Sequence, residues 1–156
     1  FDTYEIGHIT LDVYLDRVIF YTPRAFSREE FKAFMFAQSE AYENMIQFIR
    51  DLKNRYSLCT VAVSNEGREL MEYRIHHFKM KEFIDFFVCS CFIGYKKPDI
   101  EMYRLALDIA QVKPQDVIYL DDRQLLSEVG GQLGMKAIQH KTYEQTQVLL
   151  NELLEG

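Results

Sequence analysis

The chain has 156 residues, 48% of them hydrophobic, 27% charged and 14% aromatic, with no tryptophan. That composition builds a core and suits one ordinary domain, or one core with a small added lobe, and it contains no low-complexity segment. A formal net charge of −6 with no Lys/Arg block argues against a general nucleic-acid binder, and the absence of a signal peptide or an apolar run of about 18–20 residues argues against a membrane partner.

Residues 1–55 read as helical. Thr10 can cap a helix running to about residue 20, with Leu11, Tyr14, Leu15, Val18 and Ile19 on one face. Pro23 and Ser27 mark a break. Ser27-Arg28-Glu29-Glu30 is a capping box, Ser27 to Glu30, and opens a helix carrying Phe31, Phe34 and Met35. A longer helix is expected over 39–55, where Tyr42, Met45, Ile46, Ile49 and Leu52 recur at spacings of three and four.

The period then changes. Residues 58–63 form a short apolar strand, followed by a helix near 68–78. Residues 86–91 form a second strand, and Pro98-Asp99 opens a helix to about residue 110. Val117-Ile118-Tyr119-Leu120 is a third strand with its own helix, residues 135–138 a fourth, and a last helix covers 143–154. Gly130-Gly131 and Gly134 punctuate the approach to the fourth strand. Strands alternating with helices predict an α/β fold, a parallel sheet with right-handed crossovers flanked by helices. The expected organisation is a helical subdomain over 1–40 and an α/β core over 41–156, with the boundary near 36–42. No Gly/Ser linker separates them, so the two parts should pack together.

Cys59, Cys89 and Cys91 all fall in apolar strand-like runs. Their number is odd, and Cys89-Ser90-Cys91 lacks the two-residue spacer of zinc and redox motifs. They read as buried, reduced thiols of a cytoplasmic protein.

Three strand ends carry polar residues of a consistent kind: Ser64-Asn65 after the first, Lys97-Pro98-Asp99 a short loop after the second, and Asp121-Asp122 after the third. In an open parallel sheet, carboxyl-terminal strand ends face one crevice. Adjacent carboxylates at a buried strand end repel each other and are costly to desolvate, so a hard divalent cation with oxygen ligands is the simplest counterpart. A hydroxyl, an ammonium and an acidic pair suit a phosphoryl group: Ser64 and nearby N–H groups bind its oxygens, Lys97 neutralises charge, and the acidic pair holds Mg²⁺. Each element also has an ordinary explanation. Ser-Asn can be a turn or helix cap, Lys-Pro-Asp a helix start, and Asp-Asp a complement to the helix dipole. Their order on successive strand ends favours the joint reading.

In that order, Val61-Ala62-Val63-Ser64-Asn65, Gly94-Tyr95-Lys96-Lys97-Pro98-Asp99, Val117 through Asp122 and Leu133-Gly134-Met135 resemble the second to fourth motifs of the haloacid dehalogenase (HAD) superfamily. Tyr4-Glu5-Ile6-Gly7-His8-Ile9-Thr10 resembles the opening of the small helical cap of its sugar-phosphatase-like branch. The resemblance implies a Rossmann-like core with a helical cap, and a Mg²⁺-dependent phosphatase acting on a small phosphorylated metabolite. It implies that Ser64 and Asn65 bind phosphate, and that Lys97, rather than the neighbouring Lys96, stabilises nucleophile and phosphate charge. It also implies Asp122 as the direct Mg²⁺ ligand, with Asp121 bonded through water or one layer behind. The double acid argues against the metal-free dehalogenase reaction. His8, Phe20, Tyr21 and Arg24 could face the site, although ordinary cap surface is the favoured reading.

The family's first motif is Asp-x-Asp at the end of its first strand, supplying the nucleophile and the general acid/base. No such motif follows a strand here: Asp2 precedes the first helix, and Asp12 and Asp16 lie on one. The first core strand is therefore expected to be missing from these residues, leaving the Ser64 and Asp121 strands with unpaired neighbouring edges. Taken alone, the 156-residue piece is expected to fold poorly and to lack phosphatase activity. Leu126 also stands where relatives often have Asn. The competing reading is a non-catalytic HAD-like protein or fragment that binds a phosphorylated ligand or a protein partner. A response-regulator receiver, which places its acidic pair first and its lysine last, fits the order poorly. Oligomeric state and substrate identity are not legible in the sequence.

Overall fold

The computed structural model describes residues 1–155. Helices come first: α1 (Asp2–Glu5), α2 (Leu11–Val18), α3 (Arg28–Ala37) and α4 (Glu43–Tyr56). Strands and helices then alternate through β1 (Val61–Ser64), α5 (Arg68–His77), β2 (Phe86–Cys89), α6 (Ser90–Ile93), α7 (Ile100–Ala110), β3 (Ile118–Asp121), α8 (Gln124–Gln132), β4 (Lys136–Gln139) and α9 (Tyr143–Glu155). Among the described residues no helix is long and apolar enough to cross a membrane.

The capping signals act as the sequence predicts. The Thr10 side chain accepts from the Val13 N–H, and Ser27 and Glu30 form a complete capping box. Thr10→Ala is therefore expected to cost about 1 kcal/mol, with Thr10→Ser near the parent; a shift of the urea-unfolding midpoint measures it. α2 turns Leu11 and Leu15, each 1% exposed, onto Tyr4, with Phe20, Phe31, Met35 and Phe36 packed around them.

β1 pairs with β2 in parallel, in register Ser64 to Cys89, and β3 pairs with β4 in parallel, in register Asp121 to Gln139. β1 and β3 do not pair with each other, so each keeps one edge unpaired among the described residues. Side chains nevertheless join the two strand pairs: Val63 packs against the cluster of Tyr103, Tyr119 and Met135. On the other side, Phe48 and Leu52 of α4 meet Ile138 and Leu150.

The helical amino-terminal part is tied to the α/β part at several points. The Leu11 N–H donates to Glu69 Oε1 at 2.8 Å, the buried Ser90 hydroxyl donates to the Glu5 carbonyl at 2.7 Å, and Phe36 stacks on Tyr73 with centroids 4.9 Å apart. Gly67 lies so close under the Tyr4 ring that a Cβ would overlap it.

Several boundaries differ from expectation, each for a local reason. The helix expected from residue 39 starts at Glu43, because Ser39 closes on Phe36 through its N–H and accepts from Arg74 Nε at 3.1 Å through its hydroxyl. That tie docks the connection on α5, and Tyr42, placed by periodicity on the apolar face, is the N-cap and 78% exposed. The first strand begins at Val61 rather than 58, since Thr60 donates its N–H to the Asp85 carboxylate at 2.8 Å. The second ends at Cys89, where the chain coils into α6 and stops at Gly94 with φ +77°. Cys59 consequently lies ahead of the sheet and is exposed, which corrects its assignment as a buried thiol. Cys89 and Cys91 are buried, and desolvation pushes their thiols up to about 12 and about 11.

Candidate active site

β1 ends at Ser64 and delivers Asn65 to the loop beyond it. The Asn65 amide clamps the backbone of Lys97: its Nδ2 donates to the Lys97 carbonyl and its Oδ1 accepts the Lys97 N–H, both at 2.8 Å. An amide offers two N–H donors and an oxygen with two lone pairs, and here one of each is committed to a residue 32 positions away. The clamp fixes where the lysine side chain starts. Its ammonium then reaches β3, with Lys97 Nζ 2.6 Å from Asp121 Oδ2.

This ion pair is buried on both sides: the Lys97 side chain is 11% exposed and that of Asp121 3%. Asp121 Oδ2 also accepts the Tyr119 hydroxyl at 2.8 Å, and Oδ1 accepts the Arg123 N–H at 3.0 Å. Burial alone would push the Asp121 carboxyl up, but donation from Lys97, Arg123 and Tyr119 holds it below the ordinary carboxylate range. Burial, reinforced by the Asp121 charge, pushes the Tyr119 phenol well above its ordinary value, so it is a donor at any working pH.

Asp122 differs from its neighbour. It is exposed, and its carbonyl accepts Gln139 Nε2 at 3.1 Å, which anchors the backbone to β4 while the carboxylate faces outward. Asp121 is thus occupied by three donors, and Asp122 is the member of the pair available to an outside cation. A hard divalent ion bound by one or two carboxylates, with water and substrate oxygens completing the shell, suits that donor set. Among the described residues no group of three or more His, Cys, Asp or Glu side chains converges on one point, so further oxygens would have to complete such a site.

The structure therefore brings together Asn65, Lys97 and Asp121, with Ser64 and Asp122 their neighbours in the chain. Ser64 is half-buried at the strand end. Asn65, expected as a phosphate contact, has its amide engaged by Lys97, leaving its own N–H and the Ser64 hydroxyl for that role. Asp99, a potential helix cap by sequence, is the N-cap of α7 without a side-chain cap bond. Lys96 points away and pairs with Asp2 at 2.7 Å and Glu5 at 3.4 Å, so it holds α1. Phe20 packs edge-on against Phe26 and Phe31, while Arg24 covers the exposed Tyr21 ring at 5.2 Å and donates to the Ile19 carbonyl. Both are thereby engaged within the helical part.

Comparison with known proteins agrees with this architecture. The chain is 27% identical over 105 residues to rat (Rattus norvegicus) bifunctional epoxide hydrolase 2, covering 64% of this chain and 19% of that protein. It is 39% identical over 44 residues to the pig (Sus scrofa) counterpart, covering 28% of this chain and 8% of that protein. It therefore spans about a fifth or less of the curated relatives it matches. A HAD-family enzyme of Bacteroides thetaiotaomicron, solved as a magnesium complex, superimposes with TM-score 0.82 at 18% identity over 96% of this chain and 78% of that one. A HAD-like hydrolase of Porphyromonas gingivalis superimposes with TM-score 0.82 at 15% identity over 99% of this chain and 78% of that one. The family described as haloacid dehalogenase-like hydrolase matches residues 9–140, which takes in β1 to β4 and every residue of the Asn65–Lys97–Asp121 chain of contacts. The protein belongs to the haloacid dehalogenase-like hydrolase family.

Proposed function

We propose that the protein of which these residues form part is a Mg²⁺-dependent phosphatase of a small phosphorylated metabolite, with sugar phosphates the first substrates to test. The observation that supports this reading is the contact chain from Asn65 through Lys97 to Asp121, which ties the ends of β1 and β3 together around one cation, with Ser64 and Asp122 as the next residues in the chain. Ser64 and the N–H groups after it would bind phosphoryl oxygens, and Lys97 would neutralise the charge that develops on them. Asp122 would hold the metal directly, with Asp121 behind it anchoring Lys97. When bound, the ion would supply electrostatic stabilisation of the phosphoryl oxygens. The nucleophile, an aspartate forming an aspartyl-phosphate, would come from outside residues 1–156. Residues 1–40 would act as a cap that shields the crevice from water and helps choose the substrate. A Bacteroides relative of the same fold, solved with magnesium and inorganic phosphate, supports the assignment.

The test is phosphate release by the complete protein from a panel of sugar phosphates. Turnover should require Mg²⁺, disappear with EDTA and return when Mg²⁺ is restored. No release from any substrate would overturn the reading and leave non-catalytic binding of a phosphorylated ligand or a protein partner in its place.

A further inference from the structure

We propose that Tyr119 is a positioning residue of the phosphoryl site, its hydroxyl orienting the Asp121 carboxylate that in turn holds Lys97. This inference rests on Lys97 being the phosphate-neutralising cation.

Tyr119 and Asp121 are two residues apart on β3, so both project from the same face of the strand. Two residues advance a strand by about 6.7 Å, a distance that an extended phenol can span alongside the backbone. The Tyr119 hydroxyl accordingly meets Asp121 Oδ2 at 2.8 Å, on the same oxygen that receives Lys97 Nζ at 2.6 Å. With the Arg123 N–H on Oδ1, the carboxylate is fixed by donors at both oxygens and cannot turn without breaking a bond.

The ring itself is held firmly. Tyr119 is 8% exposed and lies edge-on to Tyr103, with centroids 5.4 Å apart and an interplanar angle of 66°. On its other side is Gly130 of α8, where a Cβ would come within 2.7 Å of the ring. Met135, Leu107 and Val129 complete the cluster. A phenylalanine would fill the same volume with the same packing. What tyrosine adds is one directed hydrogen bond, delivered from a rigid apolar base to the one carboxylate that anchors the site's cation. Tyr103 provides the contrast: its hydroxyl is also buried and feels the Asp121 charge, but it donates to the Leu126 carbonyl at 3.1 Å and makes no hydrogen bond to Asp121.

The experiment compares Tyr119→Phe with Tyr103→Phe in the complete protein. Two quantities are read: the ¹H–¹⁵N signal of the Lys97 ammonium, assigned by its loss in Lys97→Ala, and the calorimetric affinity for inorganic phosphate with Mg²⁺ present. Both tyrosine variants should unfold cooperatively with similar small losses of midpoint. Tyr119→Phe should also broaden or erase the Lys97 signal and weaken phosphate binding roughly tenfold, the scale of one hydrogen bond to a charged group. Tyr103→Phe should change neither quantity. If Tyr119→Phe keeps the Lys97 signal and binds phosphate within twofold of the parent while Lys97→Ala binds weakly, the positioning role is overturned and the phosphoryl site stands. If Lys97→Ala binds phosphate as the parent does, the phosphoryl reading fails and the positioning role falls with it.

Discussion

Lys97→Ala is expected to abolish phosphate binding and to destabilise the fold by about 3–5 kcal/mol, because it strands the Asp121 carboxylate in a buried position without its cation. The loss of turnover in the complete protein should be at least about a hundredfold. The effect on stability has a definite pH dependence. With Lys97 present the Asp121 carboxyl is held below its ordinary value, so the pair's contribution is complete at neutral pH and is lost only as pH falls through that lowered value. With Lys97 gone, burial is opposed only by Arg123 and Tyr119, and the carboxyl rises. The penalty should therefore be greatest at neutral pH and shrink as acid protonates Asp121. Urea unfolding of parent and variant at neutral and mildly acidic pH measures the gap; a gap that does not change with pH would contradict the buried-charge account. Asp121→Asn on the Lys97→Ala background should recover much of the stability, since it removes the stranded charge, and none of the phosphate affinity. That split separates what the pair does for the fold from what the lysine does for the ligand.

The residues that form this pair were legible from the sequence because strand ends in a parallel sheet share a side, with Asp121 closing one apolar run and Lys97 a short loop beyond another. Periodicity says which end a residue occupies. It does not say which atoms meet. Asn65 illustrates the limit: its type and place suggest a phosphate contact, yet its amide closes on the Lys97 backbone, a pairing set by how the β1 and β2 loops approach each other. Tyr119 is a second case. In an apolar strand it reads as core, which its ring is, and only the geometry reveals that its hydroxyl serves Asp121. Lys96 is a third, since its ion pairs with Asp2 and Glu5 span more than 90 positions. The helix caps at Thr10 and Ser27, by contrast, were fully legible, because partner and cap lie within three residues of each other.

The unpaired edges of β1 and β3 follow the same logic. The sequence places Ser64 and Asp121 on strands with unpaired neighbouring edges, and among the described residues each strand is paired on one side only. What couples them is side-chain contact: Val63 against the Tyr103–Tyr119 cluster, and Asn65 to Asp121 by way of Lys97. A site held together by side chains across a gap in the ladder depends on each of those bonds more than one built on a continuous sheet. For that reason single substitutions at Lys97 are expected to affect structure and ligand binding together.

Gly7→Ala is expected to have the next largest effect, about 2–4 kcal/mol, from two costs that add. Gly7 has φ +77°, where an L side chain is strained by about 1–2 kcal/mol. A Cβ there would also overlap the Cys91 carbonyl oxygen. That oxygen is backbone, so it cannot swing aside as a side chain would; either α6 or the turn after α1 has to move. Both are bound to other groups, α6 through the Ser90–Glu5 bond and α1 through Lys96. Gly94 supplies the matched control. It too has φ +77°, but nothing lies within 4 Å of where its Cβ would be, so Gly94→Ala carries the conformational cost alone. Unfolding midpoints should place Gly94→Ala between the parent and Gly7→Ala. Hydrogen exchange should show faster opening over residues 1–10 only in Gly7→Ala, because only there does the new methyl group push the amino-terminal helices off α6, on which they rest. Equal losses in the two variants would mean that the Gly7–Cys91 contact yields freely, and that the junction between the helical part and the core is softer than its packing implies.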